Sequence, residues 1–198
     1  MIDNETVHES ILLDYPDYIP TGKEATRFGP GKYAKHDHFT TMMAVFNTYE
    51  KFFDYLKSIG VYDNTRIIIV SDHGTTVQVP ELKNESGSKL KKQNVVATLL
   101  VKDFYAHGPV KEDMTFMTNA DTPYLATKDI VAGAKNPFTG FPFLVEDKAP
   151  FVKIQIAQAQ STRIRKQTSF PVPKDEWFTV HDNIFVKENW APLFSDGQ

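Results

Sequence analysis

The chain has 198 residues, 41% of them hydrophobic and 24% charged, with a formal net charge of -3. That balance suits a soluble globular protein with a core of its own, and it excludes a broad electrostatic attraction to nucleic acid or to an anionic membrane. The absence of cysteine removes disulfides, zinc–thiolate sites and a cysteine nucleophile from this chain.

Residues 1–38 read as loop, broken by "YPDYIPTGK" and "RFGPGK". No stretch approaches the roughly 20 apolar residues of a membrane span. The opening "MIDNETVHES" is not a signal peptide. The clearest helix follows: Met42, Val45, Phe46, Tyr49, Phe52, Phe53, Leu56 and Ile59 recur at three- and four-residue steps, an apolar stripe facing a core. Gly60 supplies its stop. After a short turn, "TRIIIVSDHG" places a strand at 65–71. Helix and strand together form an αβ unit. An aliphatic run such as Ile67 to Val70 is expected in a parallel sheet covered on both faces, whose carboxyl ends carry ligand sites.

Beyond His73, residues 75–93 read as an exposed polar loop. "NVVATLLVKDF", 94–104, predicts a second apolar strand. "NADTPYLATKDIVAG", 119–133, predicts a helix with Asp121 as N-cap, Pro123 in its first turn and Gly133 at its close. The remainder, 136–198, holds a further strand in "FVKIQIAQA" and a tail with tryptophan. No repeat or linker divides the chain, which reads as one unit.

The candidate chemistry lies at Asp72 and His73. Neighbours in a regular strand point to opposite faces, so the two converge only if the chain leaves the strand there, a bend that Gly74 permits. A carboxylate and an imidazole at a strand end suit a divalent metal such as zinc or manganese. The plainer alternative is a turn in which Asp72 bonds backbone amides and His73 is a surface residue. Ser71 does not make a triad with them, because sequential neighbours lack the nucleophile–base–orienter geometry.

"YDNTRIIIVSDHG" resembles the metal-binding strand of the alkaline phosphatase superfamily, in its sulfatase and lipoteichoic-acid-synthase branch. "FMTNADTPYLATKDIVAG" is similar to the segment in which Asp, Pro and Thr begin a helix in that branch, with the order permuted to Asp121-Thr122-Pro123. "NETVHES" looks like the loop that carries a substrate-facing histidine, which places His8 in that role. The resemblance spans roughly residues 5 to 140.

What the resemblance implies is a three-layer α/β/α sandwich of alkaline-phosphatase type, here incomplete, with strands 65–71 and 94–104 central. Residues 1–38 would be the substrate-side loop region, 39–140 the core with the metal strand and 141–198 a C-terminal extension. Asp72 and His73 would ligate a divalent ion: manganese, magnesium, zinc or calcium. A phosphate or sulfate ester, on an anionic lipid or glycan, would be transferred or hydrolysed through a covalent ester intermediate. His8 would donate a proton or a hydrogen bond. The nucleophile of such enzymes comes from earlier strands, and no residue of this chain fills that place. The chain is thus expected to be the C-terminal half of the catalytic domain, inactive alone. The parent would be a membrane-anchored phosphoglycerol transferase on the extracytoplasmic face of a bacterial membrane. A sulfuric-ester hydrolase and a non-catalytic, degenerate binding module are the alternatives.

The other histidines take plainer roles first. His36-Asp37-His38 precedes the long helix, where Asp37 or Thr40 caps it, and His38 is a candidate to line a substrate groove. His107 reads as a turn residue, and His181 packs or hydrogen-bonds in the tail. Lys91 and Lys92 lie in a loop, usually a solvated one, that could approach an anionic headgroup. An open sheet edge makes self-association through it an expectation.

Overall fold

The computed structural model describes residues 2, 4–8, 11–20, 22–75, 92–136, 139–143, 150–155 and 177–194. It divides into two compact units, Met1–Thr65 and Arg66–Gln198.

The first unit is built on α1, Asp37–Ser58. The helix begins one turn before the apolar stripe does, with His36 at the N-cap position and no side-chain cap. Asp37 does not cap it from outside; its Oδ1 instead accepts the His38 N–H at 2.8 Å. The end obeys the sequence. Gly60 adopts a φ of 72°, the Val61 N–H donates to Leu56 O and the Gly60 N–H to Lys57 O, each at 3.0 Å. That pair of bonds is a Schellman closure, which needs a residue tolerant of the left-handed region.

The stripe on α1 is buried more narrowly than its periodicity suggests. Val45 is buried, whereas Phe46, Phe52 and Ile59 are exposed. The segment before the helix also supplies buried residues, Leu13, Tyr18 and Ala34, and meets α1 where the Asn47 carboxamide donates to Asp17 O at 3.3 Å. Thr40 fastens the two together. Its hydroxyl donates to Ile11 O at 2.8 Å and accepts the Leu13 N–H at 3.1 Å. Asp14 organises the loop itself, since its Oδ1 accepts the backbone N–H groups of Thr26 and Arg27, both at 2.7 Å.

The second unit opens on β1, Ile67–Val70, paired with β2, Leu99–Lys102. The pairing is antiparallel, with Ile67 opposite Lys102 and Val70 opposite Leu99. The parallel, helix-covered arrangement expected from the aliphatic run is therefore not how these two strands meet. No residue of β1 is fully buried, and Val70 and Val101 are exposed. Residues 94 and 95, expected in the strand, belong to a helical turn, α2, Lys92–Val95. β2 is correspondingly short.

A 3-10 turn, Asn119–Asp121, leads into α3, Thr122–Thr127, which lies against β1. Asp121 precedes α3 as expected, yet its side chain caps nothing there. Its Oδ2 turns back to accept the Thr118 N–H at 2.6 Å and the Thr118 hydroxyl at 3.1 Å. The helix also stops six residues short of Gly133, for a local reason. The Arg66 guanidinium Nη1 takes the carbonyls of Leu125 at 2.9 Å and Lys128 at 2.6 Å. A cation on the last carbonyls satisfies groups that another helical turn would have used. Asp129 then adopts a φ of 64° and turns the chain away.

The C-terminal part forms a three-stranded antiparallel sheet from β3, Val152–Gln155, β4, Trp177–Val180, and β5, Trp190–Pro192, in that order. Val180 and Phe178 are its buried side chains, and the Trp190 Nε1–H donates to Ile184 O at 2.8 Å. The architecture is thus mixed α/β with small antiparallel sheets and few helices among the described residues. No helix there is long and apolar enough to cross a membrane.

Candidate functional site

Beyond β1 the chain bends sharply, and five bonds hold the bend. The Ser71 N–H donates to Thr98 O at 3.0 Å, and the Ser71 hydroxyl accepts the Thr98 N–H at 2.8 Å. That hydroxyl ties the residue after β1 to the residue before β2. The Gly74 N–H reaches Asn94 O at 2.9 Å. From the other side, the carboxamide nitrogen of Asn119 donates to Ser71 O at 3.0 Å and to Asp72 O at 2.9 Å.

Gly74 is required for a reason other than bending. A Cβ at this position would be driven into the Gln93 carbonyl and would lie 2.7 Å from Val96 O. The helical turn α2 passes so close that only a hydrogen fits.

The bend brings the two predicted ligands to one side. Asp72 Oδ1 accepts the His73 N–H at 2.9 Å, which leaves Oδ2 facing outward. His73 Nδ1 faces the carbonyl of Gly74. A carbonyl oxygen only accepts, so this contact calls for the proton on Nδ1 and leaves the lone pair on Nε2. Nε2 and Asp72 Oδ2 then stand 3.7 Å apart. Two acceptors facing each other are favourable with a cation or a proton between them. A tetrahedral ion about 2.1 Å from each would set them roughly 3.4 Å apart, which a small side-chain rotation supplies. Both groups are open to water, with side chains 90% and 67% exposed for Asp72 and His73. The pair fits two corners of a divalent site. Among the described residues, no group of three or more His, Cys, Asp or Glu side chains could hold a metal ion.

Elsewhere in this unit a cavity of about 220 Å³ is lined by Asp121, Tyr124, Asn136, Thr139 and Phe143 among others. It shares the Asn119–Asp121 turn with the Asp72 clamp.

The remaining candidates lie in other places. His8 belongs to the first unit, exposed in a turn where its N–H donates to Glu5 O at 3.0 Å. His38 is also in the first unit, half-buried at the start of α1, its ring stacked on that of His36 with centroids 6.0 Å apart. His36 Nδ1 lies 2.9 Å from Asp37 Oδ1, off the line of a hydrogen bond. His107 lies between Tyr105 and Gly108, both at positive φ, as its turn-like sequence suggests. His181 pairs with Asp182 at 2.9 Å. Lys91 lies outside the described residues.

Three structural roles near the candidate site escaped the sequence reading: those of Asn119 and Arg66 and the close approach at Gly74. Only Arg66 left a signal. The register that sets Ile67 opposite Lys102 places Arg66 opposite Asp103, a complementary charge pair at the strand ends.

Comparison with protein-family models, with curated proteins and with solved structures returns no match to this chain.

Proposed function

We propose that this chain carries the metal-binding strand of a sulfatase-like hydrolase or transferase acting on phosphate or sulfate esters. It most resembles a phosphoglycerol transferase of the lipoteichoic-acid-synthase branch, with an anionic lipid or glycan ester as substrate. One observation carries the reading: Asp72 Oδ2 and His73 Nε2 face each other 3.7 Å apart while their partner atoms, Oδ1 and Nδ1, are engaged by the backbone. In this reading β1 and β2 are one part of a three-layer α/β/α sandwich, and the parent protein is extracytoplasmic.

Asp72 and His73 would hold a divalent ion: zinc, manganese, magnesium or calcium. When bound, such an ion offsets the negative charge that builds on the transferred group. The chain's own contribution is positional. The Asp72 carboxylate is oriented by the His73 N–H, and the imidazole rests with its Nδ1 against the Gly74 carbonyl. The leaving alcohol departs with its P–O or S–O electron pair and needs a proton. His8 is assigned to give it on the strength of the sequence resemblance alone.

The second reading, a binding module without catalysis, draws on the lack of a third ligand among the described residues. Calorimetric titration with Mn2+ and Zn2+ is the first test. Saturable binding that Asp72→Ala and His73→Ala each abolish supports the metal site, and unchanged binding in both overturns it. Turnover of phosphoglycerol diesters and of sulfate esters by the protein as its host expresses it then separates the functions. Loss of diester turnover in Asp72→Ala supports the transferase, and loss confined to sulfate esters supports the sulfatase. Turnover of neither ester, with metal still bound, leaves the binding module.

A further inference from the structure

We infer that Asn119 is the positioning residue of the Asp72–His73 pair. The inference rests on the metal reading above and extends it to a residue that ligates nothing.

A carboxamide has two N–H bonds on one nitrogen, set about 120° apart by its sp2 geometry, so a single nitrogen can hold two acceptors. Asn119 Nδ2 uses that property on consecutive carbonyls, Ser71 at 3.0 Å and Asp72 at 2.9 Å. Those two carbonyls belong to the peptide planes before and after the Asp72 Cα. Fixing both planes fixes φ and ψ at Asp72, and thereby the direction of its Cα–Cβ bond. The second plane also carries the His73 N–H that Asp72 Oδ1 accepts at 2.9 Å. The amide therefore sets the direction from which the carboxylate meets that N–H.

The need for such a clamp follows from exposure. With side chains 90% and 67% exposed, Asp72 and His73 receive little orientation from packing, and their direction has to come from the backbone. Three of the bonds at this bend come from Thr98 and the Asn94 carbonyl, and they hold Ser71 and Gly74. Only the Asn119 amide holds Asp72 itself among the bonds described there. Asn119 is in turn anchored in the Asn119–Asp121 turn, where Asp121 closes back on Thr118 at 2.6 Å. The turn is a rigid mount for the amide. Partners one step removed from a metal typically change its affinity 10- to 100-fold when deleted.

The test compares Mn2+ affinity by calorimetry with metal-free thermal stability for the wild type, Asn119→Ala and Ser71→Ala. Asn119→Ala is expected to weaken Mn2+ binding at least tenfold, while Ser71→Ala, which removes a neighbouring bond and spares the clamp, stays within twofold. A purely structural amide would lower the metal-free melting temperature and leave the affinity of the folded protein alone, which overturns the inference. If Asn119→Ala does not fold, Asn119→Ser decides, because its hydroxyl has one proton and cannot hold both carbonyls. A fivefold or greater loss of affinity in Asn119→Ser supports positioning, and a loss under twofold overturns it. A wild type that binds no Mn2+ overturns the metal reading, and this inference with it. A wild type that binds, matched by Asn119→Ala, overturns the inference alone.

Discussion

Arg66 Nε and Asp103 Oδ1 lie 2.8 Å apart across the paired ends of β1 and β2. The arginine side chain is only 4% exposed; its Nη1 takes the Leu125 and Lys128 carbonyls, its Nη2 lies 3.5 Å from Asp129 Oδ2, and the group stands 4.6 Å from the Phe104 ring centroid. One buried cation thus joins the sheet, the end of α3 and the loop after β2. Arg66→Ala leaves the carbonyls unpaired and the carboxylate without its main partner. Asp103 is 41% exposed and water can serve it, so the cost falls mainly on the two carbonyls left without a donor and is about 1–3 kcal/mol. Arg66→Lys should recover little, because a single ammonium cannot reproduce a planar fork serving three acceptors. Urea denaturation of the three proteins measures both.

The same pair predicts an acid limb in stability. The Asp103 carboxyl is held below the ordinary carboxylate range first by the Arg66 hydrogen bond, against the opposing effect of burial, and further by the Phe104 N–H and by Lys128. A carboxyl lowered in the folded state contributes stability that is fully present above its unfolded value of about 3.9. That contribution is lost as pH falls through the lower folded value. Asp14, lowered by the Arg27 and Thr26 N–H groups, acts with the same sign. Thermal melts between pH 7 and pH 2.5 should fall more steeply below pH 4 for the wild type than for Asp103→Asn. Equal slopes would assign the acid limb to other carboxylates.

How much of this was legible beforehand depends on the range of the interaction. The body and stop of α1 follow from local rules: a 3.6-residue period from Met42 to Ile59 and a glycine at the left-handed position. The arrangement of Asp72 and His73 was a local question too: their side chains lie 3.7 Å apart, while Asp72 on a backbone amide and an exposed His73 are also what the plainer turn reading expects. What the sequence hid was non-local. The partner direction of β1 depends on β2 thirty residues away, and aliphatic runs do not encode it. The early end of α3 depends on Arg66, some sixty residues upstream of the carbonyls it takes. Asn119 reads as the opening residue of a helix until its amide is found on two distant carbonyls. The exposed edge of the α1 stripe belongs with these, since periodicity gives a face and not how much of it is covered.

Thr40 offers a cleaner measure of a buried hydroxyl. Its side chain is 1% exposed, and it joins α1 to the loop through Ile11 O and the Leu13 N–H. Thr40→Val keeps the shape and removes the bonds, leaving a donor and an acceptor of the loop without partners. The expected cost is about 1–3 kcal/mol. Thr40→Ser keeps the hydroxyl and loses a methyl group, so it should cost less than Thr40→Val. The reverse order in urea denaturation would mean that the methyl packing, and not the hydroxyl, fastens the loop.

Gly74 separates two reasons for a glycine within one protein. At Gly133 the backbone φ is 65° and a Cβ would meet nothing within 4 Å, so Gly133→Ala adds conformational strain alone, about 1 kcal/mol. At Gly74 the obstacle is the backbone of α2 and the residue after it, with the Val96 carbonyl oxygen 2.7 Å from the added carbon and the Gln93 carbonyl nearer still. A carbonyl in a helical turn does not swing aside as a side chain would. Gly74→Ala must therefore displace the bend after β1, at an expected cost of about 1–3 kcal/mol from overpacking. That displacement moves the peptide carbonyl against which His73 Nδ1 rests, so it should also weaken Mn2+ binding. Gly133→Ala should leave Mn2+ affinity unchanged. Titration of both variants alongside their urea midpoints checks the contrast, and equal affinity in Gly74→Ala and wild type would show that the close approach of α2 supports the fold without shaping the Asp72–His73 pair.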